Sequence, residues 1–147
     1  MLRVLVVDDC PDSVLSLRLL LQSWGYEARD ATDGPAALDV ADSFQPDVVV
    51  LDIGLPGMDG YQVAKRLRKP NSETPFIVVH SGHCTDADMR RSLKAGFIAH
   101  LPKPVDPEDI RKILVICEKW LRRNPPAQRE DGSEPIASLP ARPNSEV

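Results

Sequence analysis

Four short apolar runs punctuate this chain, and each is followed within two residues by a polar group. Leu2-Arg3-Val4-Leu5-Val6-Val7 closes on Asp8-Asp9, and Val48-Val49-Val50-Leu51 closes on Asp52. Phe76-Ile77-Val78-Val79 leads to Ser81, and Phe97-Ile98-Ala99-His100-Leu101 leads to Lys103. Near-continuous Val/Leu/Ile runs, without polar alternation, suit strands buried on both faces. Helical patterns lie between them. Pro11–Trp24 carries a broad apolar face of Val14, Leu15, Leu17, Leu19, Leu20 and Leu21. Asp33–Phe44 places Ala36, Ala37, Leu38, Val40, Ala41 and Phe44 inward. Tyr61–Leu67, Thr85–Ala95 and Pro107–Leu121 complete the set, the last with Ile110, Ile113, Leu114, Cys117 and Leu121 inward. Tyr26–Ala31 reads as a second, more polar strand. Five strand–helix units at this spacing predict an α/β fold: one five-stranded parallel sheet, doubly wound, with five helices and right-handed crossovers.

The punctuation agrees with that reading. Gly25 and Gly96 follow helix ends, Pro46 stops the second helix, and Pro75 opens the fourth strand. A length of 147 residues suits one domain, predicted over 1–123. From Asn124 onward, Pro125, Pro126, Pro135, Pro140 and Pro143 lie among Ser, Glu and Arg, with few large apolar residues. Such a segment buries too little surface to offset its ordering entropy, so 124–147 is predicted to be a disordered, Pro-rich tail. A net charge of −4 argues against direct nucleic-acid binding. No apolar stretch reaches the ~18 residues of a membrane span, and a strand starting beside Met1 argues against a signal peptide. Cys10, Cys84 and Cys117 match neither a disulfide framework nor a zinc pattern. Nothing electropositive beside Cys10 argues for a low thiol pKa. The expected location is cytoplasmic.

In a parallel sheet, the polar residues that follow the runs all fall at carboxyl ends, the edge where open α/β sheets build their sites. Asp8 and Asp9 read singly as a helix cap and a solvated neighbour. They also suit Mg²⁺, one as a direct ligand and one through water. Asp52 is either a strand-terminal cap or a carboxylate nucleophile able to form an aspartyl phosphate. Ser81 is a loop serine or a donor to a phosphoryl oxygen, with Gly82 leaving room for the group. Lys103, between Pro102 and Pro104, is a solvated lysine or an ammonium fixed near a phosphoryl oxygen. An X-Pro bond at such a turn is a candidate for a cis peptide. Taken together, these residues favour a site for a divalent cation and a phosphoryl group.

Val4-Leu5-Val6-Val7-Asp8-Asp9, Leu51-Asp52 through Asp59-Gly60, Val79-His80-Ser81-Gly82, Ala95-Gly96 and Leu101-Pro102-Lys103-Pro104 resemble the receiver domain of bacterial two-component response regulators, over roughly 1–123. The resemblance implies a flavodoxin-like fold. It implies a phosphorylation-dependent switch in a phosphorelay, taking a phosphoryl group from a sensor histidine kinase or a histidine phosphotransfer protein onto Asp52. It implies Mg²⁺ held directly by Asp9 and Asp52, through water by Asp8, and by the backbone carbonyl of Gly54. Ser81 and Lys103 would contact the phosphoryl group, and Lys103–Pro104 would be cis. Such a protein is not an enzyme in the ordinary sense, since it acts only on its own Asp52.

One position departs from the family. His100 stands where the family's switch residue is usually Tyr or Phe, whose ring rotation is coupled to movement at the position of Ser81. A half-exposed strand histidine without that role is an equal expectation. No second folded unit follows Leu121, so output is expected through contact with an unidentified protein. Helix four, strand five and helix five form a possible dimer face. Two other classes stay open. A haloacid-dehalogenase-type phosphatase also uses an Asp nucleophile, Mg²⁺ and a lysine, but needs Asp-x-Asp after its first strand. A phosphorylation-independent interaction module would not need the acid set. Trp24 and Trp120 are read as packing residues.

Overall fold

Ten elements alternate along the chain in a computed structural model that describes residues 2–55, 57–69, 72, 74–82 and 85–125. They are β1 (Arg3–Val7), α1 (Pro11–Ser23), β2 (Glu27–Ala31), α2 (Gly34–Phe44), β3 (Val48–Asp52), α3 (Gly60–Leu67), β4 (Phe76–Ser81), α4 (Asp86–Lys94), β5 (Ala99–Pro102) and α5 (Pro107–Arg123). All strand pairings are parallel, in the order β2-β1-β3-β4-β5. The chain therefore winds outward from β1 in one direction and then, from β3 onward, in the other. That reversal leaves a crevice between the carboxyl ends of β1 and β3.

Alternate residues of each strand serve opposite faces, and both faces are covered. Val4, Val6, Val48, Val50, Phe76, Val78 and Leu101 pack under α1 and α5, with Leu21, Ile113, Leu114 and Trp120. Leu5, Val7, Val49, Leu51, Ile77 and Val79 pack under α2 and α3, with Ala37, Val63, Ala64 and Leu67. This two-sided burial is why the strand runs show no polar alternation. Phe76 and Trp120 meet edge-to-face at 5.3 Å, a packing role for that tryptophan.

Some boundaries and faces differ from the sequence reading. α1 buries Val14 and Leu21 but leaves Leu15 at 43 % and Leu19 at 53 % exposure. The sheet contacts only one stripe of this helix, and those two leucines lie on its flank. On α5 it is Trp120 that is buried and Leu121 that is only partly so. Phe97 and Ile98 precede β5 instead of opening it, and Phe97 stacks on Tyr61 at 5.4 Å. α5 runs to Arg123, and Asn124 is buried, its backbone and side-chain N–H groups both donating to the Trp120 carbonyl. Asn124 thus closes the helix. Residues 126–147 of the expected tail, and Cys84, lie outside the described residues. Among the described residues no helix is long and apolar enough to cross a membrane.

Gly60 sets the loop after β3. A Cβ there would lie 2.6 Å from the Ile53 Cα, so only glycine lets the start of α3 close against the strand end. The Gly60 N–H donates to the Ile53 carbonyl at 3.1 Å. Asp59 caps the same helix through a reciprocal capping box with Gln62. Together these fix the loop that carries Gly54.

Candidate functional site

β1 and β3 are neighbours in register, Val7 opposite Leu51, so the acids that follow them converge. Carboxylate oxygens of Asp8, Asp9 and Asp52 lie within 4.8 Å of one another. Asp8 and Asp52 are buried and Asp9 is exposed. Each buried carboxylate bends back on its own loop. The Cys10 N–H donates to Asp8 Oδ1 at 3.0 Å, and the Gly54 N–H donates to Asp52 Oδ1 at 2.9 Å. These i to i+2 bonds are the turn-forming habit of aspartate. They leave the second oxygen of each acid to face inward across the crevice.

Lys103 answers both. Its Nζ lies 2.9 Å from Asp52 Oδ2 and 3.3 Å from Asp8 Oδ2. The backbone aims it: the Lys103 N–H donates to the Ser81 carbonyl at 2.9 Å, continuing the β4–β5 ladder, and the Lys103–Pro104 peptide is cis. Burial opposes ionisation of Asp8, but the Cys10 N–H and then Lys103 outweigh it and hold the carboxyl below its ordinary range. Burial likewise opposes the Lys103 charge, and the hydrogen bond and charge of Asp52, with Asp8 behind them, overcome it and raise its pKa. The all-oxygen set of three carboxylates fits a hard divalent cation such as Mg²⁺.

Ser81 ends β4, one strand further along the same edge, paired with Pro102 of β5. Its hydroxyl meets a β5 side chain: Ser81 Oγ lies 2.8 Å from His100 Nε2. His100 is not a half-exposed histidine. At 3 % exposure it is buried under α4, with Nδ1 2.7 Å from Ser92 Oγ. Burial lowers the pKa of its imidazole, against the charge of Asp88 and a backbone hydrogen bond to that residue. Ser92 escaped the sequence reading because one serine in a polar helix carries no signal of its own.

His80 was also missed as a feature, although strand parity could have found it. It shares a face with Phe76 and Val78 and so points to the α1/α5 side, opposite Asp52 in register. Its ring is buried, and neither nitrogen has a hydrogen-bond partner among the described residues. Burial, with Lys103 adding to it, pushes its pKa down to about 4 despite Asp52 and Asp8. A cavity of about 690 Å³ opens beside it, lined by Leu17, Leu20, His80, Lys103, Val105 and Ile110 among others. Cys10 also departs from expectation. The Ser13 side chain, and then the first-turn backbone of α1, hold its exposed thiol below the ordinary range. The signal was the helix start, not a neighbouring cation.

Comparison with known proteins agrees with this geometry. The family profile for the response regulator receiver domain matches residues 4–115. Response regulator MprA of Mycobacterium avium (strain 104) is 36% identical over 136 residues, which is 92% of this chain and 57% of that protein. MprA of Mycobacterium tuberculosis (strain ATCC 25618 / H37Rv) is 36% identical over 135 residues, 92% of this chain and 56% of the relative. The chain thus spans little more than half the length of these curated relatives. Chemotaxis response regulator CheY4 of Vibrio cholerae superimposes with a TM-score of 0.71 at 29% identity, over 80% of this chain and 98% of that one. The receiver domain of the Francisella response regulator 1452 gives a TM-score of 0.74 at 28% identity, over 81% and 98%.

Proposed function

The chain belongs to the response regulator receiver domain family, and on that premise we propose that it is a phosphorylation-dependent signalling switch whose phosphoacceptor is Asp52. The donor is the phosphohistidine of a sensor histidine kinase or a histidine phosphotransfer protein. The observation that carries the reading is the setting of Asp52: one oxygen on the Gly54 N–H, the other on Lys103, beside two further acids. A carboxylate oxygen of Asp52 attacks phosphorus, the P–N bond to the donor imidazole breaks, and the imidazole leaves with the bonding pair. Asp9, Asp52 and the Gly54 carbonyl would hold Mg²⁺ directly, and Asp8 through water. When bound, the ion neutralises charge on the incoming group.

The chain's own residues do the rest. Phosphorylation removes the carboxylate charge of Asp52 and places negative charge on the phosphoryl oxygens, so the Lys103 ammonium follows it outward from Asp52 Oδ2. The Ser81 hydroxyl donates to a second phosphoryl oxygen. Residues 1–123 contain every group this reading needs, and output runs through contact with another protein. Acetyl phosphate replaces the protein donor in the test. Intact mass is expected to rise by one phosphoryl group with Mg²⁺, not with EDTA, and not in Asp52→Asn. Equal labelling in EDTA would remove the metal role, and a labelled Asp52→Asn would remove the nucleophile.

A further inference from the structure

Three buried polar side chains form a continuous hydrogen-bonded chain from the site's edge into α4. Ser81 Oγ meets His100 Nε2 at 2.8 Å, and Ser92 Oγ meets His100 Nδ1 at 2.7 Å. Their exposures are 6%, 3% and 1% in the order Ser81, His100, Ser92. Ser92 is the buried residue of α4, a helix otherwise exposed or half-buried. An apolar residue would serve packing alone at that place, so the hydroxyl asks for a polar reason.

A neutral imidazole is donor at one nitrogen and acceptor at the other. Burial keeps this ring neutral, which leaves two tautomers, each running the chain in a different direction. With Nδ1 protonated, the ring donates toward Ser92; the Asp88 backbone also hydrogen-bonds the ring, and because Asp88 and Ser92 share α4 that bond is assigned to Nδ1 as part of the proposal below. Nε2 is then an acceptor for the Ser81 O–H. With Nε2 protonated, the ring donates to Ser81 Oγ, and the Ser81 proton is available for a phosphoryl oxygen. Nδ1 must then accept. A backbone carbonyl cannot donate to it, whereas the Ser92 hydroxyl can. An unpaired nitrogen in so buried a place is strongly unfavourable, so the ends of the chain are coupled.

We propose that Ser92 is a positioning residue of the switch: when Ser81 turns to the phosphoryl group, His100 exchanges its Nδ1–H for an Nε2–H, and Ser92 reverses its hydroxyl to match, carrying the change into α4 with the ring in place. This rests on Asp52 being the phosphoacceptor. Water takes one proton from Nδ1 and delivers one to Nε2, so the ring ends neutral. Both serine hydroxyls rotate and keep their protons. Unlike the ring rotation expected of a Tyr or Phe at this position, the signal is the direction of a hydrogen-bonded chain. It also makes the two states unequal. Without the Ser92 hydroxyl the resting tautomer keeps the Asp88 backbone, but the phosphorylated one loses the donor that Ser92 gives Nδ1.

The test reads the His100 tautomer by long-range ¹H–¹⁵N correlation on labelled protein, before and after acetyl phosphate with Mg²⁺. Intact mass is taken on the same samples. The chain has 3 histidines, and His100→Asn assigns the signal. Wild type is expected to change from Nδ1–H to Nε2–H in step with the mass gain. Ser92→Ala is expected to hold Nδ1–H throughout while still gaining the phosphoryl mass, and Ser92→Thr, which keeps the hydroxyl, to recover the change. A phosphorylated wild type with an unchanged tautomer overturns the relay alone, as does full exchange in Ser92→Ala. No mass gain in wild type overturns the phosphoacceptor reading and the relay with it. If Ser92→Ala does not fold, Ser92→Cys, whose thiol is only a weak donor, takes its place with the same expectation.

Discussion

Replacing His80 with leucine is expected to stabilise the metal-free protein, and more in mild acid than at neutral pH. The imidazole is 4% exposed with neither nitrogen partnered among the described residues. Burial first, and Lys103 second, lower its pKa from 6.5 to about 4. The unfolded chain therefore takes up a proton near pH 6.5 that the folded chain refuses until about pH 4. Stability linked to this group is intact above 6.5, falls as pH drops through the window, and levels off below about 4. The gap between the two values corresponds to roughly 3 kcal/mol when fully expressed. About 2 kcal/mol of it is expressed at pH 5, and only a few tenths at pH 7. Leucine, of similar size, takes up no proton on unfolding and has no orphaned nitrogens. Even at neutral pH, relief of the unpaired ring is worth on the order of 1 kcal/mol.

Urea unfolding of both proteins in EDTA, at pH 7 and pH 5, measures this directly. The advantage of His80→Leu should grow by about 2 kcal/mol between the two pH values. Groups remote from His80 cancel in the difference. An advantage that stays constant with pH would refute the burial argument. A leucine variant less stable at both pH values would mean that the ring has a partner it needs.

Lys103→Met leaves Asp8 and Asp52 facing each other without their shared cation. Metal-free stability should fall by about 1–2 kcal/mol, after discounting for a lysine that is one-third exposed, and Mg²⁺ should restore much of it. An equal loss with and without Mg²⁺ in urea unfolding would contradict the charge account. Phosphate uptake by the same variant should persist at a reduced rate, while the tryptophan fluorescence change on phosphorylation is lost. Gly60→Ala drives a methyl to within 2.6 Å of the Ile53 Cα, and backbone cannot yield cheaply. A loss of about 1–3 kcal/mol and weaker Mg²⁺ binding, read by titration, should appear together as the Gly54 loop shifts.

Legibility in the sequence followed how each residue's setting is determined. The strands were readable because burial on both faces demands unbroken runs such as Val48–Leu51, and their ends placed Asp8, Asp52, Ser81 and Lys103 on one edge. Local chemistry could be read from local sequence. What failed depends on partners distant in the chain. Leu15 and Leu19 look like core until the sheet's contact with α1 proves to be one stripe wide. His100 looks half-exposed until α4 covers it, and Ser92 means nothing until 8 residues of sequence separation close to 2.7 Å. His80 is the intermediate case, since parity with Phe76 and Val78 fixes its face but not its lack of partners.

The resting site also suggests which way a response travels. Three acids lie together and one ammonium pairs with two of them, Asp8 and Asp52, so the cluster keeps an excess of negative charge that suits a divalent cation. Under the proposed function, Lys103 and Ser81 are the two side chains that follow charge when it moves onto a phosphoryl group. They are not independent, because the Lys103 N–H is bonded to the Ser81 carbonyl at 2.9 Å. Asp8 and Asp52 are each tied to their own loops by the Cys10 and Gly54 N–H groups, which anchors the β1–β3 side of the crevice. Under the proposed function, a new anion therefore pulls on the β4–β5 side against a fixed β1–β3 side. His100 lies on β5 and touches both Ser81 and α4, so on the same premise the change at Ser81 passes through its hydrogen bonds to that helix rather than to α2 or α3.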